Sequence, residues 1–242
     1  MAAGYVIYRG PSMLDGSPIV AIACALEKSR NAKTGHMVQT YILRADMHPM
    51  EAVRSGADAA ICGTCKHRGD GAGRARSCYV TLAHGPSHVW RSLERGVYPD
   101  AAPEDVGELL AGKMIRLGTY GDPAAAPIEV WQDLVRHAAG WTGYTHRWAE
   151  LGEEWARLLM ASADTLAEAR NAQRKGWRTF RVGAGRVVDE VRCPASAEAG
   201  KKTVCADCRA CMGLAGKARA SIVIAPHGNG ARYARERELE AA

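Results

Sequence analysis

Met114-Ile115-Arg116-Leu117-Gly118-Thr119 is a β-rich run, Pro127 to Ala139 reads as a helix, and Thr142-Gly143-Tyr144-Thr145 is β-rich again. In the middle segment Ile128, Trp131, Leu134, Val135 and Ala138 recur at i, i+3, i+6, i+7 and i+10, the stripe by which a helix packs on a sheet. A strand, a crossover helix and a second strand in succession point to a parallel sheet. Working outward, Ile19–Ala23, Val38–Leu43, Tyr79–Leu82, Leu158–Ala161, Thr179–Val182 and Ser221–Ala225 read as further strands. Pro49 opens and Gly56 closes one helix, and Pro86 and Gly96 bracket another. A fourth helix starts at Asp164 or Thr165, where Thr165 and Glu168 fit a capping box, and ends at Gly176. About eight strands in a chain of this size fit an α/β fold, a (β/α) barrel or partial barrel with a Cys-rich C-terminal extension. A doubly wound open sheet is the alternative. The division is residues 1–185, a barrel-like domain, and residues 186–242, an extension with the last strand and a basic tail.

The 242 residues carry 32 Lys+Arg against 26 Asp+Glu, a formal charge of +6, with 47% hydrophobic and 24% charged residues. These are globular values and exclude a disordered or collagen-like chain. Pro18 to Leu26 is the longest apolar stretch, far short of the roughly 18 residues of a membrane span. Met1-Ala2-Ala3-Gly4-Tyr5 does not open a basic-then-apolar secretory signal. The expectation is a cytoplasmic protein with no membrane partner.

The eight cysteines decide the chemistry. In a reducing compartment, clustered cysteines hold metals or do redox work more often than they form disulfides. Cys62, Cys65 and Cys78 form C-x2-C-x12-C-Y, and Cys193, Cys205, Cys208 and Cys211 form C-P-x10-C-x2-C-x2-C. Cys24 stands alone in an apolar run and reads as a small buried hydrophobe. Three thiols at two-residue gaps plus a remote Cys-Pro is the ligation pattern of a 4Fe-4S cluster in bacterial ferredoxins. Zinc is the alternative to the cluster, unligated thiols a third reading, and Lys201, Lys202 and Arg209 are the nearby cations that offset thiolate charge. The first group has three cysteines, which on a cubane leave one iron open, or on a catalytic zinc leave one position open. A zinc site completed by His67, His84 or His88 is the competing reading. Gly63, Gly69, Gly71 and Gly73 loosen the intervening loop, and Asn31 to Gly35 reads as a polar turn between strands.

In a parallel α/β sheet the chemistry collects at the carboxyl ends of the strands. There stand Tyr120, Gly121 and Asp122, then His146, then Ser162 and Asp164, with Arg181 inside its strand and His227 after the last one. Asp122, His146 and Arg181 are the candidates for catalysis, and Tyr120, Gly121 and Ser162 for binding a cofactor. Asp164 reads as a helix cap, and Asp122 before Pro123 also starts a turn. A central strand does not bury an unpaired arginine, so Arg181 reads either as functional or as half of an ion pair.

Five segments carry a resemblance: Gly10-Pro11-Ser12 with Asp15-Gly16-Ser17-Pro18, Cys62-Gly63-Thr64-Cys65-Lys66-His67-Arg68 with Cys78-Tyr79-Val80, Arg116 to Pro123, Thr142 to His146, and Cys193-Pro194-Ala195-Ser196. Together they resemble a family of uncharacterised bacteriophage and prophage proteins, over most of the chain to about Gly228. That resemblance implies the host cytoplasm as the location and brings no activity with it. In architecture the chain also resembles radical S-adenosylmethionine enzymes. These have a β/α barrel, a three-Cys 4Fe-4S cluster with an aromatic residue beside the last Cys, and often a C-terminal auxiliary cluster. The likeness implies S-adenosylmethionine as a cofactor and an electron donor as a partner. The chain departs from that pattern in having C-x2-C-x12-C for C-x3-C-x2-C, in placing it after the second expected strand, and in lacking a Gly-Gly-Glu stretch.

Two functions follow. One is a redox enzyme with a cluster at Cys62, Cys65 and Cys78 and a second at Cys193, Cys205, Cys208 and Cys211, acting on an unidentified substrate, a nucleotide or nucleic acid among the choices. The other is a zinc-braced module that binds nucleic acid without turnover, which the charge of +6 permits. The tail from Arg232 to Glu238 mixes acids and bases and does not favour nucleic acid.

Overall fold

A computed structural model describes residues 2–27, 29, 31–69, 75–183, 185–228 and 230–234. Ten strands are formed: β1 (Gly4–Pro11), β2 (Pro18–Cys24), β3 (Val38–Arg44), β4 (Met114–Tyr120), β5 (Gly140–Thr142), β6 (Tyr144–Thr145), β7 (Met160–Ala163), β8 (Thr179–Val182), β9 (Glu190–Arg192) and β10 (Ser221–Ile224). They make an α/β fold of two five-stranded sheets, ordered β1-β2-β3-β4-β5 and β6-β7-β8-β10-β9. The second sheet is parallel throughout. The first is mixed, with β1, β2 and β3 antiparallel and β3, β4 and β5 parallel.

The sheets meet at Gly143. The expected strand Thr142–Thr145 is two strands: β5 pairs with β4, and β6 pairs with β7. The Gly143 carbonyl accepts from the Met160 N–H at 3.1 Å, carrying the pairing across the break. A Cβ at Gly143 would run into Leu159 and Leu117, so only glycine lets the chain pass there. Among the described residues no ladder joins β9 back to β1.

Burial on both faces explains which strands the sequence reveals. In β2 every residue from Ile19 to Ala23 is fully buried, giving an unbroken apolar run rather than an alternating one. β1 escapes a sequence reading because it is an edge strand with glycines near both ends and a terminal proline. Tyr79–Leu82 is not a strand. The Arg76 guanidinium donates to the carbonyls of Cys78 (3.2 Å) and Val80 (2.8 Å), which therefore do not enter a ladder.

The helices follow the capping signals, with three corrections. The helix expected over Pro127–Ala139 spans Ile128–Val135 and buries Trp131 and Leu134 completely. It ends early because the chain turns toward β5, where the Ala139 N–H donates to the Lys113 carbonyl at 2.9 Å. The strand expected at Leu158–Ala161 is β7, Met160–Ala163, starting two residues later because an unexpected helix, Glu153–Leu158, runs directly into it. Its first turn carries Glu153 and Glu154, favourable at a helix N-terminus. A helix at Pro103–Leu109 was also not legible. Elsewhere Pro49–Ser55 closes on Gly56 at φ 75°, and Thr165 caps Leu166–Arg174 by accepting from the Glu168 N–H at 3.1 Å.

Residues beyond 185 contribute β9 and β10 to the second sheet. Gly71 and Gly73 of the first cysteine loop, and the tail from Arg235, lie outside the described residues. Among the described residues no helix is long and apolar enough to cross a membrane.

Candidate metal centres

Side chains alternate across a strand, so every second residue of neighbouring strands faces the same way. On β4 these are Arg116, Gly118 and Tyr120, on β5 and β6 Thr142 and Tyr144, and on β8 Phe180 and Val182, all lining one cavity of about 510 Å³. All seven cysteines of the two sequence groups line this same cavity. All eight cysteines are free thiols. Cys24 is the exception in place: it is buried in the core beside β1 and β3, and burial pushes its thiol up to about 12.

The first group is built by a short helix and a turn. Cys62 ends the helix Ala59–Cys62, and Cys65 leads into the 3-10 turn Lys66–Arg68. The loop returns because the N–H groups of Ser77 and Cys78 both donate to the His67 carbonyl, at 3.0 and 2.9 Å. Arg68 ties the turn down, donating to the Gly63 carbonyl (3.1 Å) and to Asp58 (2.7 Å). Asp58 is itself buried, and burial pushes its carboxyl up to about 6 against the pull of Arg68 and Arg76. Burial, then Cys65, Asp58, Cys78 and Asp122, hold the Cys62 thiol well above its usual range. Cys78 is raised as well, chiefly by burial. The Tyr120 hydroxyl, buried beside Cys62 and Asp58, has no hydrogen-bond partner among the described residues.

The second group is assembled by β-sheet and loop contacts. The Cys193 N–H donates to the Val223 carbonyl at 2.9 Å, continuing the line of β9 along β10. Cys205–Cys208 is a single helical turn whose first two N–H groups donate to the carbonyls of Lys33 (3.0 Å) and Thr34 (3.1 Å). Arg209 takes a left-handed φ of 54° at the end of that turn, reversing the chain toward Cys211. Burial lifts the Cys211 thiol to about 12, although the Tyr144 hydroxyl donates to it. Burial also raises Cys193 and Cys205, with Lys33 acting in the opposite sense on both.

The cations beside these thiols are Lys33 and Arg116 rather than the expected Lys201, Lys202 and Arg209, which are exposed. Arg116 is buried, donates to Thr142 Oγ1 and the Tyr79 hydroxyl (both 3.2 Å), and lies 4.4 Å over the Tyr144 ring. Burial opposes its charge, but Tyr79, Tyr144 and Cys205 more than offset that and keep it firmly protonated.

The rim candidates separate into different roles. Tyr120, Gly121, Asp122, His146 and Ser162 all line the cavity. Asp122 is buried and holds the rim together: Oδ1 accepts from the Ala124 N–H (3.0 Å) and Oδ2 from the His146 N–H (2.8 Å). His146 Nε2 lies 3.7 Å from Cys65 Sγ and 3.7 Å from Asp164 Oδ1. Asp164, read from sequence as a cap, also meets His67 Nε2 at 2.9 Å, while Thr165 does the capping. Arg181 does not line the cavity. It makes a buried ion pair with Glu190, Nε to Oε1 at 2.7 Å and Nη2 to Oε2 at 2.6 Å. Of the histidines weighed for the first group, His67 and His84 line the cavity and His88 does not. His227 does, stacked on Tyr79 at 5.2 Å with Nε2 3.4 Å from Lys33 Nζ.

Seven thiols thus share one cavity with two cations and with a buried hydroxyl that has no partner among the described residues. Cys193 and Cys211 are buried and the other five thiols half-buried, and among the described residues the group whose ligating atoms already lie within 4.8 Å of one another is His67, His146 and Asp164. Compared with family models, curated proteins and solved structures, the chain matches none.

Proposed function

We propose that the cavity is a two-centre iron–sulfur site of a redox enzyme. Cys62, Cys65 and Cys78 hold a 4Fe-4S cluster with one iron left to a ligand, and Cys193, Cys205, Cys208 and Cys211 hold a second. The observation that carries this reading is that both sequence-distant cysteine groups line one cavity. The two parallel runs β3-β4-β5 and β6-β7-β8-β10, adjoining at Gly143 and with side chains of both lining that cavity, support a partial barrel as the architecture. The family reading stays with it: a phage-type protein, resembling radical S-adenosylmethionine enzymes, with S-adenosylmethionine as the ligand of the open iron. Such a cluster supplies one electron at a time, drawn from an external low-potential donor.

The chain's own residues bind and orient. Arg116 and Lys33 place positive charge beside the second cysteine group and stabilise bound anionic thiolates. Tyr79, Tyr144, Phe180 and His227 give the cavity flat apolar walls against which a planar group stacks. Tyr120 offers its unpartnered hydroxyl near Cys62. These features suit a small substrate with a planar ring and negative charge, as in a nucleotide.

The test is electron paramagnetic resonance of the reduced protein with and without S-adenosylmethionine. The expected result is a changed signal from the three-cysteine cluster, absent in Cys62→Ser and retained in Cys205→Ser. An identical signal with and without the ligand overturns that assignment. A protein that carries zinc and no iron returns the reading to a non-catalytic module.

A further inference from the structure

We propose that His67, His146 and Asp164 form a binding site for one divalent cation of the Zn²⁺ or Fe²⁺ type, adjoining the three-cysteine group at Cys65, whose Sγ lies 3.7 Å from His146 Nε2, with the thiolate left to the cysteine group and the cation held by the two imidazoles and the carboxylate. One ligating atom from each of His67, His146 and Asp164 lies within 4.8 Å of the other two. Two of the separations run through Asp164 Oδ1, 2.9 Å to His67 and 3.7 Å to His146. Ligands bound tetrahedrally at about 2.0–2.1 Å stand about 3.4 Å apart, between those two values, so a cation enters with shifts of about half an ångström. Two imidazoles and one carboxylate leave positions open, the donor set of catalytic zinc and of non-haem iron sites.

The three ligands come from separate segments, each fixed by its own contacts. His67 sits in the turn Lys66–Arg68, and its other ring nitrogen, Nδ1, is 2.8 Å from Ser77 Oγ. That contact orients the ring and directs Nε2 inward, as outer-shell partners of metal-bound histidines do. His146 follows β6, with its backbone N–H held by Asp122 at 2.8 Å. Asp164 follows β7, with its N–H donating to Glu168 Oε2 at 2.8 Å. Two of the three therefore stand at the carboxyl ends of adjacent parallel strands, where α/β sheets place their ligands. His67 and His146 line the cavity, which gives the cation access to whatever occupies it. This site stands whether or not the cysteines carry iron and sulfide.

The experiment counts zinc per chain by elemental analysis after anaerobic dialysis against Zn²⁺, with the full chain and its cysteine-bound metals in place. His67→Ala and Asp164→Ala are expected to lose one zinc with the iron content unchanged, and Cys62→Ser to keep that zinc. Ser77→Ala is expected to weaken zinc binding about tenfold. Cobalt on the unmutated protein gives a readout that needs no variant: d–d bands removed by one equivalent of Zn²⁺, with no gain in thiolate charge-transfer absorption. Unchanged zinc in both His67→Ala and Asp164→Ala overturns the proposal, as does thiolate charge transfer from the added cobalt. A protein without iron that loses one zinc in His67→Ala and Asp164→Ala but keeps it in Cys62→Ser sinks the iron–sulfur reading and leaves this one standing, whereas loss of the same zinc in Cys62→Ser assigns His67 to the cysteine group and overturns the proposal.

Discussion

Replacing Cys205 and Cys211 by serine releases the chain between Cys193 and Ala220 while β1 to β4 stay folded, and amide hydrogen exchange records both. That segment has one four-residue helical turn, Cys205–Cys208, as its regular structure. Its packing is a small cluster in which Cys193 and Cys211 are themselves core members, with Met160, Ala195, Ile222 and Ile224, a second of Ala206 with Met37 and Met114, and Leu214 against the main core. The burial available there is modest, whereas structural metal in small domains contributes about 10–16 kcal/mol of apparent binding free energy. On the proposed reading, bound metal dominates the order of this segment. The core around Ile19–Ala23 and Trp131 does not depend on it, because those residues are fully buried among apolar neighbours. Protection of residues 193–211 is expected to fall on the order of 100-fold or more in the double variant. Equal protection in the variant and the parent contradicts a metal-ordered segment.

Glu190→Ala lowers the free energy of unfolding by about 3–5 kcal/mol, the cost of leaving a buried charge without its partner. The Arg181 and Glu190 side chains are 7% and 1% exposed. They sit on β8 and β9, the two strands flanking β10, so the pair clamps the edge of the second sheet across its neighbour. Glu190 Oε2 also accepts from the Val187 N–H at 3.2 Å, and Arg181 donates to the Gly185 carbonyl. Removing the carboxylate strands the guanidinium and frees that loop. The paired replacement Arg181→Met with Glu190→Leu is expected to recover most of the loss, since an apolar pair of similar volume has no charge to desolvate. Urea unfolding of the two variants measures both effects. A loss below about 1 kcal/mol for Glu190→Ala would mean that the pair is wet in solution.

The contrast between Arg181 and Arg116 marks what a sequence reveals. Both stand in β-rich runs among apolar neighbours, which is the same local signal. The difference lies in partners: Glu190 neutralises Arg181, whereas Arg116 meets, among the described residues, hydroxyls, a tyrosine face and the Cys205 thiol, and faces the cavity. Partners brought by tertiary pairing are not written in the local pattern. The cysteine groups are legible because each is set by short spacing. That Cys62 and Cys205 line one cavity is not, because it depends on the pairing of β4 with β5 and of β6 with β7 through Gly143. Strands buried on both faces, such as β2, read clearly, while the edge strand β1 does not. The apparent strand at Tyr79–Leu82 has strand-forming residues, but Arg76 occupies its carbonyls. Asp164 shows the same limit in the site: its place before a helix suggests a cap, and only the fold reveals the two histidines that converge on it.

The most direct measurement is the iron, acid-labile sulfide and zinc content of anaerobically purified protein, with its visible spectrum. Two cubanes predict a brown protein with about eight irons, about eight sulfides and absorbance near 400 nm. About four of the irons should disappear in Cys62→Ser and the other four in Cys205→Ser. A colourless protein whose seven cavity thiols hold about two zinc ions and no sulfide contradicts the redox account.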